Sequence, residues 1–338
     1  IIVAEGKGLD VIDTDGNTWM DVNGGYLNVN VGYGRESMAK VIHDQLLKLP
    51  YYAGVAGTVP AAQFADKLTN LLPGLDRVFF ANSGSEANEK AFKIIRQIAH
   101  LNGNQKSKVL YRDRDYHGTT IACLAASGHE ERRQAYGPFP DGFAAIPHAL
   151  CYRCPFGLSY PDCDIECAHA LEDVIQEEGR DTMGGLILEP ITAGGGVIPP
   201  VQEYYPIIQE ICEKYGVVLI MDEVVCGFGR TGTMFGFEHY EVAPDIVTMA
   251  KALGNGVPIG AVWAPTAIAA AFRPGDHGST FGGQPLATAA AREVLRVMEE
   301  IDAPNLALTR GAELTGLLEA IPGVVGVRGL GLLLAAEL

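Results

Sequence analysis

The sequence predicts an α/β fold in which a mainly parallel sheet is flanked by helices, with a smaller α+β part beside it. Three observations carry that expectation. Short apolar strands alternate with helical stretches over most of the 338 residues, the pattern of βαβ crossovers. Three of the strands run directly into segments bearing reactive or polar side chains, and open α/β sheets bind ligands at the carboxyl ends of their strands. A 48% apolar composition supplies a large core, enough for two domains or for one large domain with an appendage.

The elements follow in order. Residues 11–20 alternate apolar and polar side chains around Asp15-Gly16 and predict a hairpin with an Asp-Gly turn. Residues 38–49 and 61–72 have helical spacing. Strands are then expected at Arg77–Ala81, 109–111, 185–188, 217–221, Ile246–Met249 and 261–263, with a helix from about Ser85 to Ala99. Across 272–283 the glycines and Pro274 interrupt the pattern ahead of a new long helix, which marks a candidate linker. The chain starts at Ile1 without Met and stops in the apolar, strand-like run 331–338; a strand needing neighbours is an odd natural terminus, so a fragment of a longer protein is expected.

Composition excludes several functions. A formal charge of -16 repels phosphate backbones and anionic lipids, so neither nucleic acid nor a membrane surface is an expected partner. No apolar run approaches the roughly 20 residues of a bilayer span, and the first ten residues lack the order of a signal peptide. A cytoplasmic protein is expected. Cys123, Cys212 and Cys226 sit singly in apolar surroundings, as packed thiols do. Cys151, Cys154, Cys163 and Cys167 form C-x-x-C, eight residues, then C-x-x-x-C. Zinc ligation would fit that loop, but pairing or plain reduced packing explains it equally, and no metal is assigned.

The chemistry-bearing segments come after strands. Asn82-Ser83-Gly84-Ser85-Glu86-Ala87-Asn88 joins a strand to a helix, where free amides and the hydroxyls of Ser83 and Ser85 can hold a phosphate. Alone, a capped helix with Ser85 as N-cap and Asn88 three residues on is the plainer account, since caps are common and phosphate sites rare. Leu219-Ile220-Met221-Asp222-Glu223-Val224 is an apolar strand ending in acid. Asp222 there can pair with a protonated ring nitrogen, or merely cap a turn. Asp245-Ile246-Val247-Thr248-Met249-Ala250-Lys251 precedes Gly254-Asn255-Gly256. Lys251 alone among the lysines ends an apolar strand against a glycine-rich turn, so its amine should be partly desolvated with a lowered pKa, as a Schiff-base lysine requires. A surface lysine is the plainer account. The order phosphate loop, acid, lysine says more than any one segment.

Gly227-Phe228-Gly229-Arg230-Thr231-Gly232 matches G-x-G-x-x-G, yet no helical periodicity follows and no acid ends a strand about 20 residues on. A turn passing near a cofactor is the better account. The signatures of phosphoryl transfer, zinc hydrolysis and serine hydrolysis are absent from the sequence.

Together these segments resemble the class III aminotransferases of fold type I, from Gly16 to Leu338. Ser83-Gly84-Ser85-Glu86-Ala87-Asn88 looks like the family's phosphate loop, Tyr116-His117-Gly118 its ring-stacking segment, Leu188-Glu189-Pro190 its active-site glutamate, and Met221-Asp222-Glu223-Val224 its pyridine-binding strand. The resemblance implies pyridoxal 5'-phosphate as cofactor, carried by Lys251, the catalytic residue. Gly84 and Ser85 would then bind phosphate, Tyr116 and Val224 take the two ring faces, Asp222 pair with the ring nitrogen, and Glu189 lie near the cofactor hydroxyl or substrate. Gly278-Ser279-Thr280-Phe281-Gly282-Gly283 looks like the segment whose Thr reaches the neighbouring subunit's phosphate, so Thr280 implies a homodimer with active sites at the interface, or a tetramer built from it. The implied division is 1–45, the start of a small domain; 46–275, the large cofactor-binding domain; and 276–338, an incomplete remainder of the small domain.

Asn28-Val29-Asn30-Val31-Gly32-Tyr33-Gly34 and Leu49-Pro50-Tyr51-Tyr52 are similar to the pyruvate-using omega-aminotransferases, which makes Leu27 and Tyr52 candidate substrate contacts. Those enzymes often carry Trp where Leu27 stands, implying a wider pocket here. The cysteine segment looks most like taurine-pyruvate aminotransferases. The family's carboxylate-binding arginine would lie past Leu338, leaving Arg153 and Arg230 as the basic residues nearest the motifs. A small amine or omega-amino acid as donor and a keto acid as acceptor are thus implied. The alternatives are 4-aminobutyrate, acetylornithine or alanine-glyoxylate transamination, or an aminomutase or decarboxylase with the same cofactor.

Overall fold

The computed structural model describes residues 1–54 and 56–338. An antiparallel three-stranded sheet opens the chain: β1 (Val3–Lys7), β2 (Asp10–Asp13) and β3 (Thr18–Met20). The expected Asp15-Gly16 hairpin joins β2 to β3. Its turn is organised by the Asp13 carboxylate, which accepts from Asp15 N at 3.0 Å, Asn17 N at 2.9 Å and Trp19 Nε1 at 2.9 Å.

The main sheet has seven strands, β4 (Arg77–Ala81), β5 (Lys108–Arg112), β6 (Phe143–Ile146), β7 (Met183–Leu188), β8 (Val218–Asp222), β9 (Ile246–Met249) and β10 (Gly260–Ala264). They lie in the order β4-β10-β9-β8-β7-β5-β6. Only β10 runs antiparallel to its neighbours. A last pair, β11 (Gly326–Leu330) and β12 (Leu333–Glu337), is antiparallel. The sequence pattern misses β1, β6 and β11, each too short or too mixed to show a period.

The central strands are apolar at successive positions because both faces are covered. Leu186 and Leu188, Leu219 and Met221, and Val247 and Met249 enter one buried cluster, shared with the helices Glu166–Glu178, Tyr204–Tyr215 and Pro285–Glu300. Ile187, Ile220 and Ile246 point the other way, into a second cluster with Ala87, Ala91, Phe92, Ile94 and Ile95 of the helix Gly84–Asn102. Truncating one such side chain to Ala would cost about 2–5 kcal/mol. Among the described residues no helix is long and apolar enough to cross a membrane.

Candidate active site

The helix after β4 starts earlier than the sequence suggests. Ser83, not Ser85, is the N-cap: its hydroxyl accepts from Glu86 N at 3.2 Å, while Glu86 Oε2 accepts from Asn82 N at 2.9 Å. Ser83 and Glu86 have the spacing of a capping box, which a Ser-x-Ser run conceals when only one serine is weighed. Gly84 and Ser85 are therefore the first helical residues. No acceptor within the described chain takes their N–H groups, so two oriented donors at the positive end of a 19-residue helix remain free. The Ser85 hydroxyl accepts from Thr119 N at 3.0 Å, tying this loop to the segment after β5.

That tie depends on Gly118. It adopts φ +137°, and a Cβ there would stand 2.4 Å from Ser85 Oγ, closer than real contacts allow. A Cβ on Gly84 would stand 3.0 Å from Val224 Cγ2, so Val224 packs against the loop backbone.

Asn88, one turn into the helix, has a different task from capping. Its Nδ2 donates to Asp222 Oδ2 at 2.8 Å and to His117 O at 2.7 Å. His117 Nδ1 lies 2.8 Å from the same Asp222 oxygen. Asp222 Oδ1 accepts from Val224 N at 3.0 Å and keeps a lone pair besides. Asp222, Asn88 and His117 are all buried, and charge-assisted bonds of this kind hold a carboxylate in one orientation.

Glu189 follows β7. Its Oε2 accepts from Tyr116 N at 3.1 Å and its own N–H donates to Asp115 Oδ2 at 3.0 Å. Beneath it Arg112 is fully enclosed, paired with Asp115 at 3.1 Å and donating to Glu189 O at 2.6 Å. Burial, then the neighbouring carboxylates of Asp115 and Asp222, pushes the Glu189 carboxyl well above the usual range. The Tyr116 ring is half-buried, with His129 edge-on at 5.7 Å and the Arg132 guanidinium 4.8 Å above its centre.

Lys251 follows β9 with φ +42°, a left-handed conformation rare for a lysine and costly unless its surroundings enforce it. Within the described chain no hydrogen bond or ion pair engages its Nζ. Burial lowers its pKa, against the opposing pull of Asp222 and Glu189 and with a further push from Arg230. Its amine is therefore partly desolvated.

These contacts bring together Gly84, Ser85, Tyr116, Glu189, Asp222, Val224 and Lys251. Leu27 is half-buried with φ +65° and packs against the cluster holding Val225 and Cys226, directly after Val224. Tyr52 lies apart, 51% exposed in a groove with Lys48, Gln63 and Arg292. Thr280 is exposed, next to Ser279, whose Oγ lies 3.4 Å from Asn82 Nδ2. Sequence reasoning gave no role to His117, or to Arg112, Asp115 and Thr192, whose polar side chains in apolar strand-and-turn surroundings were the available signal. The glycines 227–232 do form a turn, but the close approach they permit is to Met249 and Leu308. All seven cysteines are free; Cys151, Cys154, Cys163 and Cys167 line one small cavity, and among the described residues no three potential ligands stand together as a metal set.

An acid held by Asn88, His117 and the Val224 N–H, a partly desolvated lysine and a free helix start, each at a strand end of one sheet, suit an amine-transferring enzyme. The chain belongs to the aminotransferase class-III family, whose sequence profile matches residues 1–338, and it transfers an amino group from an amine to a keto acid. It is 48% identical over its whole length to the hypotaurine/taurine--pyruvate aminotransferase of Paracoccus denitrificans, covering 76% of that protein. It is 46% identical to the taurine--pyruvate aminotransferase of Rhodobacter capsulatus, again over the whole chain and 76% of the relative. An (S)-enantioselective omega-transaminase from Thermomicrobium roseum superposes with a TM-score of 0.95 at 36% identity, over 100% of this chain and 78% of that one.

Proposed function

We propose that this site binds pyridoxal 5'-phosphate and moves the amino group of a small omega-amine with an anionic head, taurine first, to pyruvate. The fit to the cofactor rests on the donor set. Two unspent N–H groups at Gly84 and Ser85 suit a phosphate, and Asp222, fixed by Asn88 and His117, suits a cationic ring nitrogen. Tyr116 and Val224 offer flat and apolar surfaces for the ring faces. When bound, the cofactor supplies a carbonyl that condenses with amines and a ring that withdraws electrons from the attached carbon.

The protein's share is position and proton transfer. Lys251 Nζ, with its pKa lowered by burial, would be neutral more readily than an ordinary lysine, the form in which an amine can hold an aldehyde cofactor and can accept a proton. Its amine would serve as the base that takes and returns the proton of the substrate carbon. Burial raises the Glu189 carboxyl above its ordinary range, which favours its proton-bearing form and eases the approach of an anionic substrate. The Thr280 side chain, exposed in this protomer, is assigned to the phosphate of a second subunit, so the working unit is a homodimer; an active monomer in sedimentation would overturn that assignment.

The observation that carries the substrate choice is the 48% identity over the full chain to a hypotaurine/taurine--pyruvate enzyme. Alanine formation from taurine and pyruvate should be measured beside 2-oxoglutarate and glyoxylate as acceptors. Preference for 2-oxoglutarate would refute pyruvate and favour 4-aminobutyrate or acetylornithine chemistry. Turnover of plain alkylamines without any of taurine would remove the anionic head. Aldehyde formation from the donor amine, stoichiometric with alanine formation from pyruvate, separates transamination from aminomutase or decarboxylase action.

A further inference from the structure

Arg230 is a half-buried cation without a counter-ion among the described residues. Its Nε donates to Val225 O at 3.1 Å and its Nη2 to Asn30 Oδ1. Asn30 is itself oriented by donating from Nδ2 to Phe228 O at 3.0 Å, which leaves its oxygen facing the guanidinium. Both partners are neutral. Among the described residues no carboxylate lies within ion-pair distance of Arg230. Its Nη1 makes no hydrogen bond to the described chain, yet it is not among the polar atoms sealed from solvent. The pinned guanidinium thus has one free donor edge, beside the turn that follows Asp222 and close enough to Lys251 for its charge to act on that amine.

A half-buried cation left without a counter-ion carries a desolvation cost that an anionic ligand would offset. A guanidinium fork matches the oxygens of a carboxylate or a sulfonate. We propose that Arg230 is an anchor for the anionic head of the substrate, gripping sulfonate or carboxylate while the substrate amine lies at Lys251. This rests on the substrate class proposed above. It makes Arg230 a specificity-determining residue supplied by the turn after β8.

The test uses the full-length holoenzyme and the variants Arg230→Gln, Arg230→Lys and Asn30→Ala. In Arg230→Gln the KM for taurine should rise roughly 10- to 100-fold relative to the KM for neutral n-butylamine, the range of one charged hydrogen-bonded contact. Arg230→Lys, which keeps the charge and loses the fork, should fall between. Asn30→Ala, which loosens the tie but leaves the guanidinium, should hold the taurine-to-butylamine ratio within about threefold. Ethanesulfonate, which has no amine to react, should raise the melting temperature of the wild type and not of Arg230→Gln or, if that variant is unfolded, raise it less in Arg230→Lys. Equal weakening toward taurine and butylamine, or an ethanesulfonate shift independent of residue 230, would overturn the proposal. A wild type that ignores taurine while showing an Arg230-dependent ethanesulfonate shift would refute the substrate choice and keep the anchor.

Discussion

Asn88→Ala separates a cap-side residue from one that serves the acid across the crevice. The amide makes two bonds, at 2.8 Å to Asp222 Oδ2 and at 2.7 Å to His117 O. Both targets accept only, so the amide orientation is settled by chemistry. A bond to an ionised group contributes about 1.5–3 kcal/mol and a bond to a carbonyl about 1 kcal/mol. Removing the donor also leaves two buried acceptors short of partners. A loss of about 3 kcal/mol in unfolding free energy is therefore expected, read from urea titrations of the cofactor-free protein. If Asp222 holds the ring nitrogen, cofactor affinity should fall at least about tenfold in a titration followed by absorbance. Asn88→Asp should be worse, since it sets a second carboxylate against Asp222. A change under about 0.5 kcal/mol with unaltered affinity, the behaviour of an ordinary surface substitution, would show that Asn88 does not support Asp222.

Three further outcomes are expected. Borohydride reduction of the holoprotein should leave the cofactor mass on the peptide carrying Lys251, and recovery on any other lysine would sink the assignment. Gly118→Ala should destabilise by about 2–4 kcal/mol through overpacking and backbone strain and weaken cofactor binding, because its Cβ would displace Ser85; unchanged binding would show that Ser85 is not needed there. Glu223, buried and accepting from Gly236 N and Phe237 N at 2.9 Å each, has its carboxyl pushed by burial from 4.5 up to about 8. The folded state thus holds this proton more tightly than the unfolded one, so its stability contribution is complete below pH 4.5 and declines as pH rises toward 8. Glu223→Gln should flatten the stability curve across that window, and an unchanged slope in denaturation at pH 5 and pH 8 would refute it.

Much of the sheet was legible because a strand buried on both faces is apolar at every position, and Ile187 between Leu186 and Leu188 needs no partner to be recognised. β6 was not: Phe143-Ala144-Ala145-Ile146 forms an edge of the sheet, half-covered and rich in alanine. The direction of β10 was equally hidden, since Gly260-Ala261-Val262-Trp263-Ala264 has the same composition either way round. The N-cap was misplaced by two residues because Ser83 and Ser85 both satisfy the local rule, and only the bond from Glu86 N to Ser83 Oγ decides between them. In the site, Lys251, Asp222 and the loop at Gly84 were found because each ends a strand. Their supports were not, because Asn88 and His117 stand 134 and 105 residues from the Asp222 oxygen they share.

Strand order explains why so scattered a set converges. Asp115 to His117, Glu189, Asp222 and Lys251 follow β5, β7, β8 and β9, which are consecutive neighbours in the sheet, so their side chains line one edge as parallel strands require. The loop at Ser83 to Ser85 follows β4, which is separated from β9 by β10. Were β10 parallel to the rest, its own carboxyl end and the loop after it would stand between Ser83 and Lys251. Running antiparallel, it brings its first residue to that edge instead: Gly260 pairs with Ala81, and its neighbour Ala261 with Met249. A Cβ on Gly260 would stand 2.6 Å from Ser83 O and 3.1 Å from Met249 O. The reversed strand thus closes the gap with bare backbone, and the loop that can hold a phosphate and the strand that carries the lysine meet across a glycine.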